Sequence, residues 1–314
     1  MFTTVGAVAL GIGSYVVFQQ GKPLLLGDGC QATVARQVVD LDPEQAAIAA
    51  TIAGVGYRGG LPRDAVTVAL ATALQESHLH NVDYGDRDSV GIFQQRPSKG
   101  WGTPSQLKDP VYAATRFFAA LVRVPGYRHL PVYRAAQAVQ HSADGTAYAQ
   151  YEQVAAMLSA AFTGNAARAV WCWYRPYPHQ RDARLAAAAS ELTRTFGPLT
   201  EDADAAGDPG AGLGVQTPAT RVPPAGSAAS VGGVVSAGIL QTRTGRTRPG
   251  QTGPGQTGPG QTRPGWAIAS WAVTHAKFYG IRQVSYAGYV WHAASGKRGW
   301  RRDATAPTER VELG

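Results

Sequence analysis

The sequence predicts a mainly α domain, joined by a Gly/Pro-rich linker to a small α+β C-terminal module. Three observations carry this. Two Asp-Pro pairs, Asp42-Pro43 and Asp109-Pro110, stand at helix starts and precede apolar residues at helical spacing. Between Gly197 and Gly265 there are 25 Gly and Pro in 69 residues, ending in the repeat RPGQT-GPGQT-GPGQT-RPG. From Trp266 onward, helical and alternating apolar patterns resume. The whole chain has 314 residues, of which 38 are Gly, 20 are Pro and only 16% are charged, a composition that suits folded pieces joined by an unstructured one.

Residues 1–30 read as a transmembrane anchor or signal segment. Thr3 to Phe18 carries no charge, and a helix from Phe2 to Gln20 would be about 28 Å long, enough to cross a bilayer. No small-x-small cleavage site follows, which favours an uncleaved anchor. The charge placement runs against it: Lys22 follows the apolar run and no Lys or Arg precedes it. The two cysteines, Cys30 and Cys172, lie in no CxxC pair, so a zinc or redox motif is not indicated. Outside the cytosol they would most simply form one disulfide flanking the domain; the alternative is two separate buried thiols.

Residues 31–197 form the α domain. Asp42 reads as an N-cap, with Pro43 in the first turn and Gln45 completing a capping box; the helix stops at Gly59-Gly60. Pro62 opens a second helix, whose stripe is Val66, Ala69, Leu70, Ala73 and Leu74. Asp109-Pro110 opens a third, with Ala113, Phe117 and Leu121 inward. The segments PVYRAAQAVQHSA, TAYAQYEQVAAMLSAAF and RDARLAAAASELTRTFG read as further helices, with an aromatic turn WCWYRPYPHQ before the last. Residues 198–265 are the linker, expected to be disordered because they cannot bury enough apolar surface to offset chain entropy. Residues 266–314 start with an amphipathic helix, WAIASWAVTHAKFYG. Strands are expected on either side of Ala287-Gly288, and in GWRRDA and RVEL. A module this short is at the edge of independent stability and is expected to pack on something.

Four of the chain's 21 acidic residues, Glu76, Asp83, Asp86 and Asp88, fall within ALQESHLHNVDYGDRDSVGIFQQRP. Glu76 stands at the end of the second helix, where the partial negative charge of the helix terminus disfavours a second negative charge. A carboxylic acid that keeps its proton is what glycosidic cleavage needs as general acid. The bland alternative is a solvated helix-end Glu. His78 and His80, two apart, do not share a helix face and do not read as a metal pair. The aspartates lack calcium-loop spacing. No metal and no cofactor are expected. Tyr84, Phe93 and Trp101 are candidates to stack on sugar faces, or core residues. Trp291 and Trp300, with Lys297, Arg298, Arg301 and Arg302, are candidates for a glycan or acidic-polymer site, or for small-core packing.

Glu76-Ser77, then Gly91-Ile92-Phe93-Gln94 with Pro97 close behind, resembles the lysozyme-like superfamily in its lytic transglycosylase and goose-type lysozyme branch. That branch has a helix ending in Glu-Ser and a Gly-Leu-Met-Gln-like turn near a Pro. AVQHSADGTAYAQYE sits about where it has a Tyr-Asn-Ala-Gly segment. The stretch 40–165, with LDPEQAA, ALATALQES, DYGDRDSVGIFQQRPSKGWGT and DPVYAATRFF, resembles an actinobacterial group of secreted or membrane-anchored members.

The resemblance implies a lysozyme-like α domain and cleavage of peptidoglycan glycan strands. Glu76 would be the catalytic acid. Ser77, Gln94, Gln95 and Tyr148 would bind substrate. Asp83, Asp86 and Asp88 are candidates for a second carboxylate, which an inverting hydrolase wants about 6.5–9.5 Å from the first. Their alternative role is turn formation. A lytic transglycosylase needs none, since the acceptor is the sugar's own C6 hydroxyl, giving a 1,6-anhydro product. The expected partners are peptidoglycan, a membrane through the N-terminal helix and anionic wall polymers, consistent with the net charge of +8; nucleic acid is not expected. The location would be the cell membrane with an extracellular domain, or the wall. Two rival readings are a non-catalytic wall-binding scaffold of the same fold, and a heavy-metal transporter. One apolar span without CxxC or a His-rich tract argues against the transporter.

Overall fold

The computed structural model describes residues 27–142, 146–175, 183–199, 201–202, 213–215, 239–240 and 264–314. This part is mainly helical, with small antiparallel sheets. The helices are α1 (Pro43–Arg58), α2 (Arg63–Ser77), α3 (Pro104–Leu107), α4 (Pro110–Leu121), α5 (Val132–Gln140), α6 (Glu152–Phe162), α7 (Leu185–Phe196) and α8 (Pro264–Tyr279). Asp42 caps α1 in a full capping box with Gln45, and Asp109 accepts from the Val111 and Tyr112 amides at the start of α4. Val66, Ala69, Leu70, Ala73 and Leu74 of α2 are all buried.

Helix α1 is the hub: α2, α4, α7 and α8 all pack on it. Its Ala- and Gly-rich surface makes this close approach possible. A Cβ at Gly54 would lie 2.5 Å from Thr195 Cγ2 on α7, and one at Gly56 would lie 2.7 Å from Val66 Cγ2 on α2. Any larger side chain would push these helices apart.

Three strands differ from the sequence-based expectation. Strands β1 (Gly29–Val34) and β2 (Gln37–Leu41) form a hairpin, and β3 (Val170–Trp173) pairs with the other edge of β1. The hairpin turns on Ala35 and Arg36, both at positive φ (49° and 68°), a backbone that suits the twist of a two-residue loop. Neither residue is the Gly or Asn that would have announced such a turn. Cys30 stands opposite Cys172 in the ladder, and their sulfurs are joined in a disulfide. Closing a span of 142 residues restricts the unfolded chain, a contribution of roughly 5 kcal/mol in the chain-entropy account.

The expectation of a membrane-spanning helix over residues 1–30 is corrected. Gly29 and Cys30 belong to the sheet, and among the described residues no helix is long and apolar enough to cross a membrane. Residues 1–26, including the apolar run, lie outside the described residues. So does most of the linker; within it, Glu201–Asp202 (β4), Leu213–Val215 (β5) and Ile239–Leu240 (β6) are short strands.

The C-terminal segment completes the core. Strands β7 (Gln283–Tyr286) and β8 (Tyr289–His292) meet at Ala287-Gly288, with β9 (Arg301–Arg302) and β10 (Val311–Leu313) in a sheet of order β5-β10-β7-β8-β9. Ile268, Trp271, Ala272 and Val273 of α8 are buried in the same hydrophobic core as α1 and α7. The indoles of Trp291 and Trp300 donate to the carbonyls of Cys172 (3.0 Å) and Val170 (2.7 Å), so β3 is held from both sides.

Candidate active site

The last turn of α2 places Glu76, and three structures hold that turn. The helix ends because His78 and Leu79 adopt left-handed backbone (φ 53° and 60°), returning their amides to Leu74 and Ala73. Leu79 is fully buried and pins the exit. The chain beyond is then tied to the first turn of α1: Gln45 Nε2 donates to the His78 carbonyl (2.9 Å), Glu44 Oε1 accepts from the Asn81 amide (2.9 Å), and His80 Nε2 meets Asp42 Oδ2 at 2.8 Å.

The His80–Asp42 pair sets its own charges. The hydrogen bond to Asp42 raises the His80 pKa above its usual range, against the opposing effect of burial. Burial pushes Asp42 up, but hydrogen bonds from His80 and from the Gln45 amide outweigh it, and the net shift is downward.

The second support is the turn Gly91–Gln94. Ser77 Oγ, buried, lies 3.1 Å from the Ala73 carbonyl and 2.9 Å from the Ile92 carbonyl. The residue after Glu76 is therefore a staple between helix end and turn, with its hydroxyl turned away from solvent. Gln140 Nε2 of α5 holds the same turn by donating to the Phe93 carbonyl (2.8 Å). Gln94, at φ 47°, sits half-buried; its amide nitrogen donates to the carbonyls of Tyr84 and Gly91 (both 3.2 Å), and its oxygen accepts from Ser89 Oγ (3.1 Å). Gln95 is only 2% exposed and bridged to Val90 through its backbone, and among the described residues its side-chain amide has no hydrogen-bond partner.

The third support bonds to Glu76 directly. Tyr148, 1% exposed, donates its phenol hydrogen to Glu76 Oε1 at 2.8 Å. Beside it, Gln150 Nε2 reaches Gln75 Oε1 at 3.1 Å. Tyr148 stands just before α6, which packs along α2, so the phenol is fixed on the body that carries the carboxylate. Glu76 itself is half-buried.

The three aspartates separate. Asp83 and Asp86 are exposed; the Asp86 carboxylate lies 3.9 Å from Arg87 Nε, and its carbonyl accepts from the Ser89 amide and hydroxyl. Asp88 is engaged: Arg96 Nε (2.9 Å), the Ser98 amide (2.7 Å) and Ser98 Oγ (3.0 Å) all donate to it. The Arg96 hydrogen bond leads in lowering its pKa to about 2. This is a loop clamp. Among the aromatics, Phe93 is core, stacked on Phe117 at 4.5 Å. Trp101 is half-buried, while Tyr84 is 74% exposed on the loop that Gln94 braces.

A cavity of about 750 Å³ opens along α5, lined by Tyr133, Arg134, Gln137, Ala138, His141 and Thr146 among others. Among the described residues, none of those lining it is a carboxylate. Among the described residues no group of three or more His, Cys, Asp or Glu could hold a metal ion. Gln45, Glu44, Gln140 and Gln150 are site-supporting residues that sequence reasoning missed; each acts across 33 or more positions, and nothing local announces such a contact. No protein-family model matches the chain, and no curated protein matches it.

Proposed function

We propose that this protein cleaves peptidoglycan glycan strands by acid catalysis from Glu76, in the manner of a lytic transglycosylase, on a domain of the lysozyme-like kind. The observation that carries the reading is the hydrogen bond from Tyr148 to Glu76 at the end of α2. A carboxyl group oriented by a buried phenol and itself half-buried suits proton delivery to a glycosidic oxygen. In this mechanism Glu76 protonates the oxygen between N-acetylmuramic acid and N-acetylglucosamine as that bond breaks. The resulting carboxylate then takes the proton of the C6 hydroxyl, which closes on the anomeric carbon.

The state of the aspartates favours the internal hydroxyl over water as acceptor. Asp88 is committed to Arg96 and Ser98, and Asp83 and Asp86 stand exposed; among the described residues no group orients them toward Glu76. The disulfide agrees with an oxidising, extracytosolic setting. Release of soluble muropeptides from insoluble peptidoglycan tests the proposal. The wild-type chain is expected to release them and Glu76→Gln to bind without releasing. Equal release by both would remove Glu76 from the mechanism, and binding without release by both would support the scaffold reading.

A further inference from the structure

The segment Gly296–Arg302, GKRGWRR, divides into inward anchors and outward cations. Trp300 donates to the Val170 carbonyl at 2.7 Å and meets the Trp266 ring edge-on at 5.2 Å. Gly296 is buried against β3, where a Cβ would lie 2.1 Å from the Cys172 carbonyl oxygen. Gly299, at φ 62°, lies under the Trp171 ring, where a Cβ would come within 3.4 Å. The strand beneath is itself fixed to β1 by its ladder and by the Cys30–Cys172 disulfide. The segment is thus fastened to a rigid base at three points.

The remaining members, Lys297, Arg298, Arg301 and Arg302, are all exposed. Among the described residues none of these four has a carboxylate partner, whereas Arg96, Arg194 and Arg310 each do. Strand β9 ends its sheet, so Arg301 and Arg302 lie on an edge. Arg168 extends the patch: its guanidinium sits 4.3 Å from the ring centroid of Tyr289, the residue paired with Arg302. The adjoining acid, Asp303, accepts from the amide and hydroxyl of Thr305 and is held in its own turn.

We infer that this ridge is a binding site for a linear polyanion with phosphodiesters on a flexible, non-aromatic backbone, the chemistry of anionic wall polymers. Guanidinium groups bind phosphate oxygens in pairs, and a ridge already fixed in place loses little freedom on binding. The segment's aromatic residue, Trp300, is engaged by the Val170 carbonyl and the Trp266 ring, and Arg168 covers the nearby Tyr289 ring, which disfavours the stacking that single-stranded bases use. The choice of a wall polymer over a duplex nucleic acid rests on the reading of a wall-acting protein given above.

The test uses the full chain carrying Glu76→Gln, so that cleavage plays no part in the readout. Binding to poly(glycerol phosphate) is measured beside binding to double-stranded DNA. The comparison variant adds Lys297→Gln, Arg298→Gln, Arg301→Gln and Arg302→Gln; a control instead neutralises Lys99, Lys108, Arg123 and Arg128. The polymer is expected to bind with a strong salt dependence, the ridge variant to lose about tenfold or more, and the control to lose less than about threefold. Thermal melting confirms that both variants remain folded. Equal binding by ridge variant and parent, no polymer binding, or tighter binding of duplex DNA would overturn the inference. Because glycan cleavage is absent from every arm, failure here leaves the role of Glu76 to be judged by muropeptide release.

Discussion

Tyr148 donates its phenol hydrogen to Glu76 across 72 positions of sequence, at 2.8 Å, from a side chain that is almost wholly buried. A buried phenol can hold only what its surroundings allow it to reach, so this bond orients the carboxyl. Tyr148→Phe keeps the ring and removes the donor. Its kcat on peptidoglycan is expected to fall about tenfold to a hundredfold, with KM nearly unchanged, because orientation of a general acid acts on the chemical step. A rise in KM alone would instead make Tyr148 a substrate-binding residue.

Ser77 gives a contrasting outcome. Its hydroxyl joins the end of α2 to the Ile92 carbonyl inside the protein. Ser77→Ala is expected to cost about 1–3 kcal/mol in denaturant unfolding, since a buried carbonyl loses its donor. Affinity for peptidoglycan, measured by sedimentation with the insoluble polymer, should stay unchanged.

Asp88 is expected to behave as a clamp. Its pKa is depressed to about 2, led by the Arg96 hydrogen bond, so its contribution to loop order is present above the unfolded carboxylate pKa and is lost as pH falls through the depressed value. Asp88→Asn should therefore raise amide hydrogen exchange across residues 84–98 at neutral pH and leave the identity of the product ends unchanged. A switch in product ends would return Asp88 to the chemistry.

The His80–Asp42 pair predicts a pH response of the opposite sign. Because the His80 pKa is raised, its stabilising effect is complete below the unfolded histidine pKa and fades as pH rises through the folded value. Asp42, with its pKa lowered, contributes above the unfolded aspartate pKa and loses its contribution in acid. Thermal stability of the wild type should therefore decline on the alkaline side of the His80 titration relative to His80→Gln. Parallel curves for the two proteins would contradict this.

Helix starts were readable in the sequence because they are local: Asp42, Pro43 and Gln45 lie within four positions, and so do Asp109 and Pro110. The hairpin at Ala287-Gly288 was readable for the same reason. The three-stranded sheet was not. β1 and β2 turn on Ala35 and Arg36, which carry no turn signature, and β3 lies in an aromatic run whose strand character depends on pairing with β1. At the site, motif resemblance reached Glu76, Ser77, Gln94 and Tyr148. It could not tell that Ser77 faces a backbone carbonyl, or that Gln95 is sealed from solvent. Trp291 and Trp300 show the same limit: an aromatic beside arginines reads as a binding surface until its indole is seen to serve a strand edge.

Those two indoles make the C-terminal segment part of the folded body. Trp300→Ala is expected to destabilise the protein by about 3–5 kcal/mol, and Cys30→Ser with Cys172→Ser by about 2–5 kcal/mol. The two lesions meet at β3, so combining them should give a loss that departs from the simple sum. Additive losses would mean that the Trp300 anchor and the disulfide act independently.

The most direct measurement is mass spectrometry of the ends released from purified peptidoglycan, wild type beside Glu76→Gln. The account predicts 1,6-anhydro-N-acetylmuramic acid ends from the wild type and none from the variant. Reducing ends from the wild type would contradict the internal-hydroxyl mechanism, and anhydro ends from Glu76→Gln at the wild-type rate would contradict the assignment of the catalytic acid.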